Sequence, residues 1–108
     1  MALITRSEEF LLLAVWRLQD EAYAVTIREQ LKAATGKTWA FGALFVSLDR
    51  LEQKGYLASS LGEPTPERGG RRKRMYTITT EGLQALAEVK RAEKAIWAGV
   101  PELPAFSD

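Results

Sequence analysis

The densest cluster of charged side chains in the sequence is the run Arg71, Arg72, Lys73 and Arg74, which follows two glycines. The chain as a whole has a net charge of only +1. A local positive field nevertheless attracts an anionic partner, which makes phosphate groups the natural target of such a run. Taken alone, a run of this kind is more often the solvated end of a strand. Its interpretation therefore depends on the elements that surround it.

The positive charge is confined to the middle of the chain. Residues 55–80 contain five cations against two anions, a net charge of +3. Residues 1–54 are neutral, and residues 81–108 carry a net charge of −2. This uneven distribution favours a specific basic surface over a generally basic protein.

The sequence gives little support for catalysis, metal binding or disulfide bonds. The sequence has neither cysteine nor histidine, which excludes disulfides, thiolate or imidazole metal ligands, and every catalytic triad that uses those side chains. The acid pairs Glu8-Glu9 and Asp20-Glu21 consist of neighbours that point apart on a helix, so neither pair forms a site by itself. We assign no catalytic residue, no metal and no cofactor, and we do not expect an enzyme.

The length and composition are typical of a single domain, which we expect to be intracellular. The chain has 108 residues, of which 46% are hydrophobic and 27% are charged. A chain of this length buries one core with little to spare, so a partner subunit would help to stabilise it. Acids precede the first apolar run, no small-residue cleavage site follows it, and the run is too short to span a membrane. We therefore expect a cytoplasmic protein.

Three helices are predicted in the first half of the chain. The first covers residues 6–19, begins with a capping box from Thr5 to Glu8, and is apolar around much of its girth, which indicates burial. The second lies in "AYAVTIREQLKAATG", with capping-box spacing from Thr26 to Glu29 and a left-handed Gly36 at its end. Aromatic residues expected in the core are Phe10, Trp16 and Trp39.

The third helix, "GALFVSLDRLEQKG", has one narrow apolar stripe. Leu44, Leu48 and Leu51 fall at i, i+4 and i+7, so they should face the core. Gly55 is the expected residue after the helix end. The other faces carry small side chains, such as Ala43 and Ser47, which would let a bulky partner approach closely.

A hairpin and a fourth helix follow. "YLASSLG" and "RKRMYTIT" are predicted strands, joined by the proline- and glycine-containing loop "EPTPERGG". The last helix should run from Thr79 or Thr80 to about Ala98, where Gly99 and Pro101 stop it. The order helix, helix, helix, hairpin, helix is mainly α with a small β-hairpin (α+β). It is the winged helix-turn-helix plan.

This plan suits duplex DNA, because a helix fits the major groove and a basic hairpin tip reaches the flanking phosphates. Residues 1–79 would form the DNA-binding domain, and residues 80–108 a dimerisation helix with a short tail. Arg50 is ambiguous, since it could pair with Asp49 or Glu52 instead of a phosphate. The candidate DNA-binding residues are Ala43, Val46, Ser47, Arg50, Arg68, Arg71, Arg72 and Arg74.

Residues 24–86 resemble the PadR family of transcriptional regulators. The matching blocks are "YAVTIREQL", "GALFVSLDRLEQKGYL" and "GGRRKRMYTITTEG", in that order. Phe45 stands where the family commonly has tyrosine, and Val46 where it commonly has proline. The resemblance implies a homodimeric repressor, in which the last helix, aided by the first, forms the dimer interface on a pseudo-palindromic operator.

Some members of this family bind flat aromatic or lipophilic compounds near the dimer interface, which releases DNA. The residues that the resemblance suggests for such an effector or for the interface are Phe10, Leu13, Val89, Ile96 and Trp97. Plain dimer packing remains an alternative for Ile96 and Trp97, because aromatic residues are common in interface cores. The alternative function is a winged-helix adaptor that binds another protein without an effector.

Overall fold

The structure is a computed structural model that describes residues 2–64 and 72–106. In these residues, four α-helices and one antiparallel hairpin follow the predicted order, which confirms the α+β class. No helix in this part of the chain has both the length and the apolar character needed to cross a bilayer. The elements are α1 (Arg6–Leu18), α2 (Ala24–Thr35), α3 (Phe41–Gln53), β1 (Leu57–Pro64), β2 (Arg72–Ile78) and α4 (Thr80–Trp97), with a 3₁₀ turn at Gln19–Glu21 between α1 and α2.

The helix ends test the capping predictions. The box at α1 is confirmed, because Thr5 Oγ1 accepts a hydrogen bond from the Glu8 N–H at 3.1 Å and the Glu8 carboxylate accepts one from the Thr5 N–H. The box predicted from Thr26 to Glu29 is wrong. Thr26 is instead the third residue of α2, and its hydroxyl accepts from the Tyr23 N–H at 3.0 Å. A threonine satisfies free N–H groups from either position, so spacing alone did not distinguish them.

One core fills the space between α1, α2, α3 and the hairpin. Leu44, Leu48 and Leu51 of α3 are buried as predicted, and Trp39 packs against the core. The expectation that Phe10 and Trp16 are core residues is wrong, since their exposed fractions are 36% and 45%. One side of α1 therefore faces outward. The largest fully buried side chains are Leu11, Leu12, Val15, Ile27, Leu44, Leu48, Leu51 and Tyr76.

The hairpin is anchored at the end opposite its tip. Its strands pair from Leu57 with Ile78 to Leu61 with Arg74, and the register then becomes irregular. The Tyr76 N–H donates to the carbonyl of Ala22, which ties β2 to the segment before α2. The tip at residues 65–71, with the candidates Arg68 and Arg71, lies outside the described residues.

The start of α4 lies directly on the backbone at the start of the hairpin. The Thr79 N–H donates to the Tyr56 carbonyl, and its hydroxyl donates to the Gly55 carbonyl at 2.6 Å while accepting from the Gly82 N–H. A β-carbon at position 82 would lie 2.3 Å from the Tyr56 oxygen and 2.7 Å from Ile78 Cγ1. Only glycine fits this approach.

We predict that Gly82→Ala destabilises the fold by about 1–3 kcal/mol, because the added methyl group meets a carbonyl oxygen that cannot move independently. Gly42→Ala is the matched control, since Gly42 lies early in α3 and nothing is within 4 Å of its would-be β-carbon. The free energy of unfolding of this control should rise by up to about 1 kcal/mol, because alanine has a higher helix propensity than glycine. Urea denaturation measures the free energy of unfolding of both variants. If Gly82→Ala is stabilised as much as Gly42→Ala, the close approach at Gly82 is contradicted.

Candidate nucleic-acid interface

The turn between α2 and α3 is held by one arginine. Arg28 Nε donates to the Trp39 carbonyl at 2.6 Å, and the guanidinium carbon lies 4.3 Å from the centre of the Phe41 ring. The Phe41 ring in turn stacks on Phe45, with centroids 6.2 Å apart. The side chain of Arg28 thus satisfies a carbonyl of the connector and fixes the entry into α3, so the orientation of α3 against α2 is defined.

The outer face of α3 presents small and medium-sized side chains. Ala43 is exposed, Val46 is 53% exposed, and Ser47 is half-buried at the edge of this face. Arg50 is exposed, and among residues 2–64 and 72–106 no carboxylate lies within ion-pair distance of it. Glu52, one of its possible partners, accepts from the Ser59 hydroxyl instead. Arg50 is therefore available to an external anion.

The N-terminus of α1 meets the same face of α3. A cleft of about 240 Å³ is bounded by Thr5, Ser7 and Glu8 on one side and by Ser47, Arg50 and Lys54 on the other, with Leu11 at its base. Sequence reasoning missed Ser7 and Lys54. Lys54 lies one turn after Arg50, which is a visible signal, but the proximity of α1 is a tertiary feature.

Lys54 is partly neutralised within the protein. Its ammonium group forms an ion pair with Glu8 Oε2. Burial raises the pKa of the Glu8 carboxyl, but the hydrogen bonds from Lys54 and Thr5 outweigh burial and hold that pKa below its ordinary value. Arg50 is thus the stronger candidate for phosphate contact on this part of the surface.

The cations of β2 divide between the two faces of the hairpin. Arg74 Nη1 donates to Ser59 Oγ at 3.0 Å, and Ser59 donates to Glu52 of α3, so the Arg72–Arg74–Tyr76 face lies on the α3 side. Burial raises the pKa of the Tyr76 phenol, and the nearby Asp49 carboxylate adds to this shift.

Lys73 lies on the other face of the hairpin. Its ammonium group is 4.3 Å from the centre of the Tyr23 ring at the start of α2, where it forms a cation–π contact. The alternation of β2 therefore separates Lys73 from Arg72 and Arg74, and only the latter two share the side of α3.

A second, apolar surface lies away from these cations. Phe10, Leu13 and Trp16 are exposed on α1 and border a groove of about 390 Å³ between α1 and α2. We call this the α1–α2 groove. Its lining residues are Phe10, Leu13, Ala14, Trp16, Arg17, Gln30, Leu31, Ala34 and Thr35.

The end of α4 is also apolar and exposed. The exposed fractions are 74% for Ile96 and 55% for Trp97. Val89, two turns earlier, is buried and lines a cleft with Ile4 near the start of α1. Val89 and Ile96 line this cleft together, whereas Phe10 and Leu13 border the α1–α2 groove, so the five residues predicted for an effector or interface do not line one site within a single chain.

A shared cation fastens α4 to α1. Arg6 Nη1 lies 2.7 Å from Glu93 Oε1 and 3.1 Å from Glu9 Oε1. Burial raises the pKa of the Glu9 carboxyl, the Glu93 carboxylate raises it further, and Arg6 opposes both effects. The junction thus holds two acids around one guanidinium, and it sets the direction in which the end of α4 projects.

Three helices followed by a hairpin, with an exposed arginine on α3 and further arginines on the hairpin face next to α3, define a winged helix-turn-helix DNA-binding protein. The sequence model of the transcriptional regulator PadR-like family matches residues 12–88, and the chain belongs to this family. Family members are transcriptional regulators, so the protein is a regulator and not an enzyme. No curated protein sequence is significantly similar to the chain.

Solved structures support the same assignment. A PadR-like transcription factor from Bacteroides fragilis is 28% identical, with a TM-score of 0.71 over 87% of this chain and 85% of that one. A PadR family transcriptional regulator from Eggerthella lenta is 27% identical, with a TM-score of 0.66 over 88% and 80%. A PadR-like transcriptional regulator from Bacillus cereus is 19% identical, with a TM-score of 0.71 over 87% and 86%, and shows the shared fold. The predicted family and fold are confirmed.

We predict that Arg28→Met lowers the free energy of unfolding by about 1–3 kcal/mol, because it leaves the Trp39 carbonyl without its charged donor. Arg28→Lys should not restore stability, since an ammonium group cannot both stack on Phe41 and reproduce the Nε–H geometry. Arg91→Met, which replaces an exposed arginine of α4, is the control. Chemical denaturation gives the three values, and an Arg28→Met variant as stable as the control would refute this role.

Proposed function

We propose that the protein is a homodimeric repressor that binds a pseudo-palindromic operator through two copies of α3 and two hairpins. The observations that carry this proposal are the exposed Arg50 and small side chains on α3 and the hairpin face next to α3 that carries Arg72 and Arg74. In this scheme residues 1–79 bind DNA, and residues 80–108 supply the dimerisation helix and a short tail. A repressor of this kind acts by occupying its operator.

Within the complex, α3 enters the major groove and the hairpin follows the backbone. Ala43, Val46 and Ser47 present no long side chain, so the helix can lie close to the base edges. Arg50 contacts a flanking phosphate, and Arg72 does so from the hairpin together with Arg68 and Arg71. Arg74 contributes less, because one of its N–H groups is used by Ser59. With few base-reading side chains on α3, DNA shape carries much of the specificity.

The dimer is supported by the two exposed apolar surfaces. Phe10, Leu13, Ile96 and Trp97 would remain in water in a monomer, and apolar surface of this kind favours a partner. The radius of gyration is 16.1 Å, against roughly 13 Å for a compact domain of about 100 residues. Pairing through α1 and α4 would cover the exposed end of α4. It would also fix the two copies of α3 about one DNA turn, roughly 34 Å, apart.

The effector proposal rests on the α1–α2 groove. Its volume of about 390 Å³ lies within the range of small-molecule sites, and aromatic and aliphatic side chains line it. A flat aromatic or lipophilic ligand bound there would alter the packing between subunits. The spacing of the two α3 helices would then no longer match the operator, and DNA would be released.

The operator proposal is tested by gel shift with DNA from upstream of the protein's own gene. Arg50→Ala/Arg72→Ala removes four phosphate contacts per dimer, so the slope of log affinity against log salt should fall by about 3–4. Lys90→Ala/Arg91→Ala on exposed positions of α4 removes the same charge and should leave the slope unchanged. Identical slopes for the two variants would reject the assigned surface.

Dimerisation is tested by analytical ultracentrifugation at micromolar concentration. The wild-type chain should sediment as a dimer, and Ile96→Ser/Trp97→Ser should shift it to monomer, because both side chains are exposed within a subunit and buried only between subunits. Val46→Ser is the control, since Val46 is also apolar and exposed but lies on α3. A monomeric wild-type chain would overturn the dimer.

A further inference from the structure

The segment that follows α4 has a repeat of three. Val100, Leu103 and Phe106 are spaced by three residues, and so are Pro101 and Pro104. The segment has neither helical nor strand structure. A polyproline II helix has three residues per turn and contains no internal hydrogen bonds, so it would align the three apolar side chains along one edge. The two prolines favour this conformation, because their rings hold φ close to the polyproline II value.

This apolar edge has no cover in its own subunit. The exposed fraction is 62% for Leu103 and 80% for Phe106. Gly99 lies in the left-handed region with a φ of 79°, and the Val100 N–H closes this turn onto the Trp97 carbonyl. The segment thus leaves the exposed end of α4 in a defined direction.

The α1–α2 groove has the chemistry that such a segment requires. Extended proline-containing segments bind in grooves lined by aromatic rings, and Phe10 and Trp16 supply those rings. The two residues are six positions apart on α1, which is about 9 Å along a helix. One polyproline II turn is also about 9 Å, so the spacing of Leu103 and Phe106 matches the rise along α1 between Phe10 and Trp16.

We propose that residues 100–106 of each subunit bind in the α1–α2 groove of the second copy as an exchanged strap, which an effector entering that groove would displace. The proposal rests on the dimer proposed above, in which the ends of the α4 helices already contact the partner. Only Ala98 and Gly99 separate the strap from Trp97, so it extends that interface without a long linker. Its prolines reduce the entropy lost on binding, which favours docking by so short a segment.

Crosslinking tests where the strap binds. The chain has no cysteine, so an introduced pair reacts without background. Ala105→Cys/Ala34→Cys joins the strap to the groove and, with a short bismaleimide, should give a covalent dimer on a denaturing gel. Ala105→Cys/Ala43→Cys, with the second thiol on the outer face of α3, and each single variant should not. A crosslink confined to one chain, or none at all, would overturn the exchange.

Dimer affinity tests what the strap contributes. Leu103→Ser/Phe106→Ser should weaken dimerisation by about 10–100-fold, because two apolar side chains lose their burial. Glu102→Ser/Ala105→Ser, off the apolar edge of the same segment, should leave the dissociation constant unchanged. If Ile96→Ser/Trp97→Ser dissociates the dimer while Leu103→Ser/Phe106→Ser does not, the strap is rejected and the dimer stands. A monomeric wild-type chain rejects both.

Discussion

Burial of a single leucine stripe on α3 is the constraint on which the remaining structure depends. Leu44, Leu48 and Leu51 are all buried, so the rotation of α3 about its axis is fixed. This rotation alone decides that Val46 and Arg50 face outward. The direction of the helix depends on a separate contact, the bond from Arg28 to the Trp39 carbonyl. A polar surface of defined geometry therefore follows from an apolar requirement on the opposite face.

The internal polar contacts reduce the set of cations that can meet DNA. Lys54 is paired with Glu8, Arg74 donates to Ser59, and Lys73 lies over Tyr23. Each of these contacts also joins two elements: α3 to α1, β2 to β1, and the hairpin to α2. The same positive charges thus help to assemble the fold, while Arg50 and Arg72 form no ion pair within residues 2–64 and 72–106. A count of basic residues overstates the available charge.

Sequence patterns predicted the element order, the leucine stripe, the α1 capping box and the family, because each depends on local spacing or on matching blocks. They failed where burial depends on a neighbour that is distant in sequence. Phe10 and Trp16 are large aromatic residues of the kind expected in a core, but they border an open groove between α1 and α2. The resemblance grouped Val89 with Phe10 and Leu13, but Val89 is buried in a cleft with Ile4 and Ile96 instead. Ser7 and Lys54 join the candidate site only through the packing of α1 against α3.

The contact at Gly82 couples the two ends of the molecule mechanically. The first turn of α4 lies against the Tyr56 carbonyl with no side chain between them. Since no flexible side chain separates the two backbones, α4 cannot rotate here without moving the base of the hairpin. Thr79 adds bonds to both Gly55 and Tyr56 at the same point. A rotation of α4 at this contact would therefore be transmitted to the base of the hairpin.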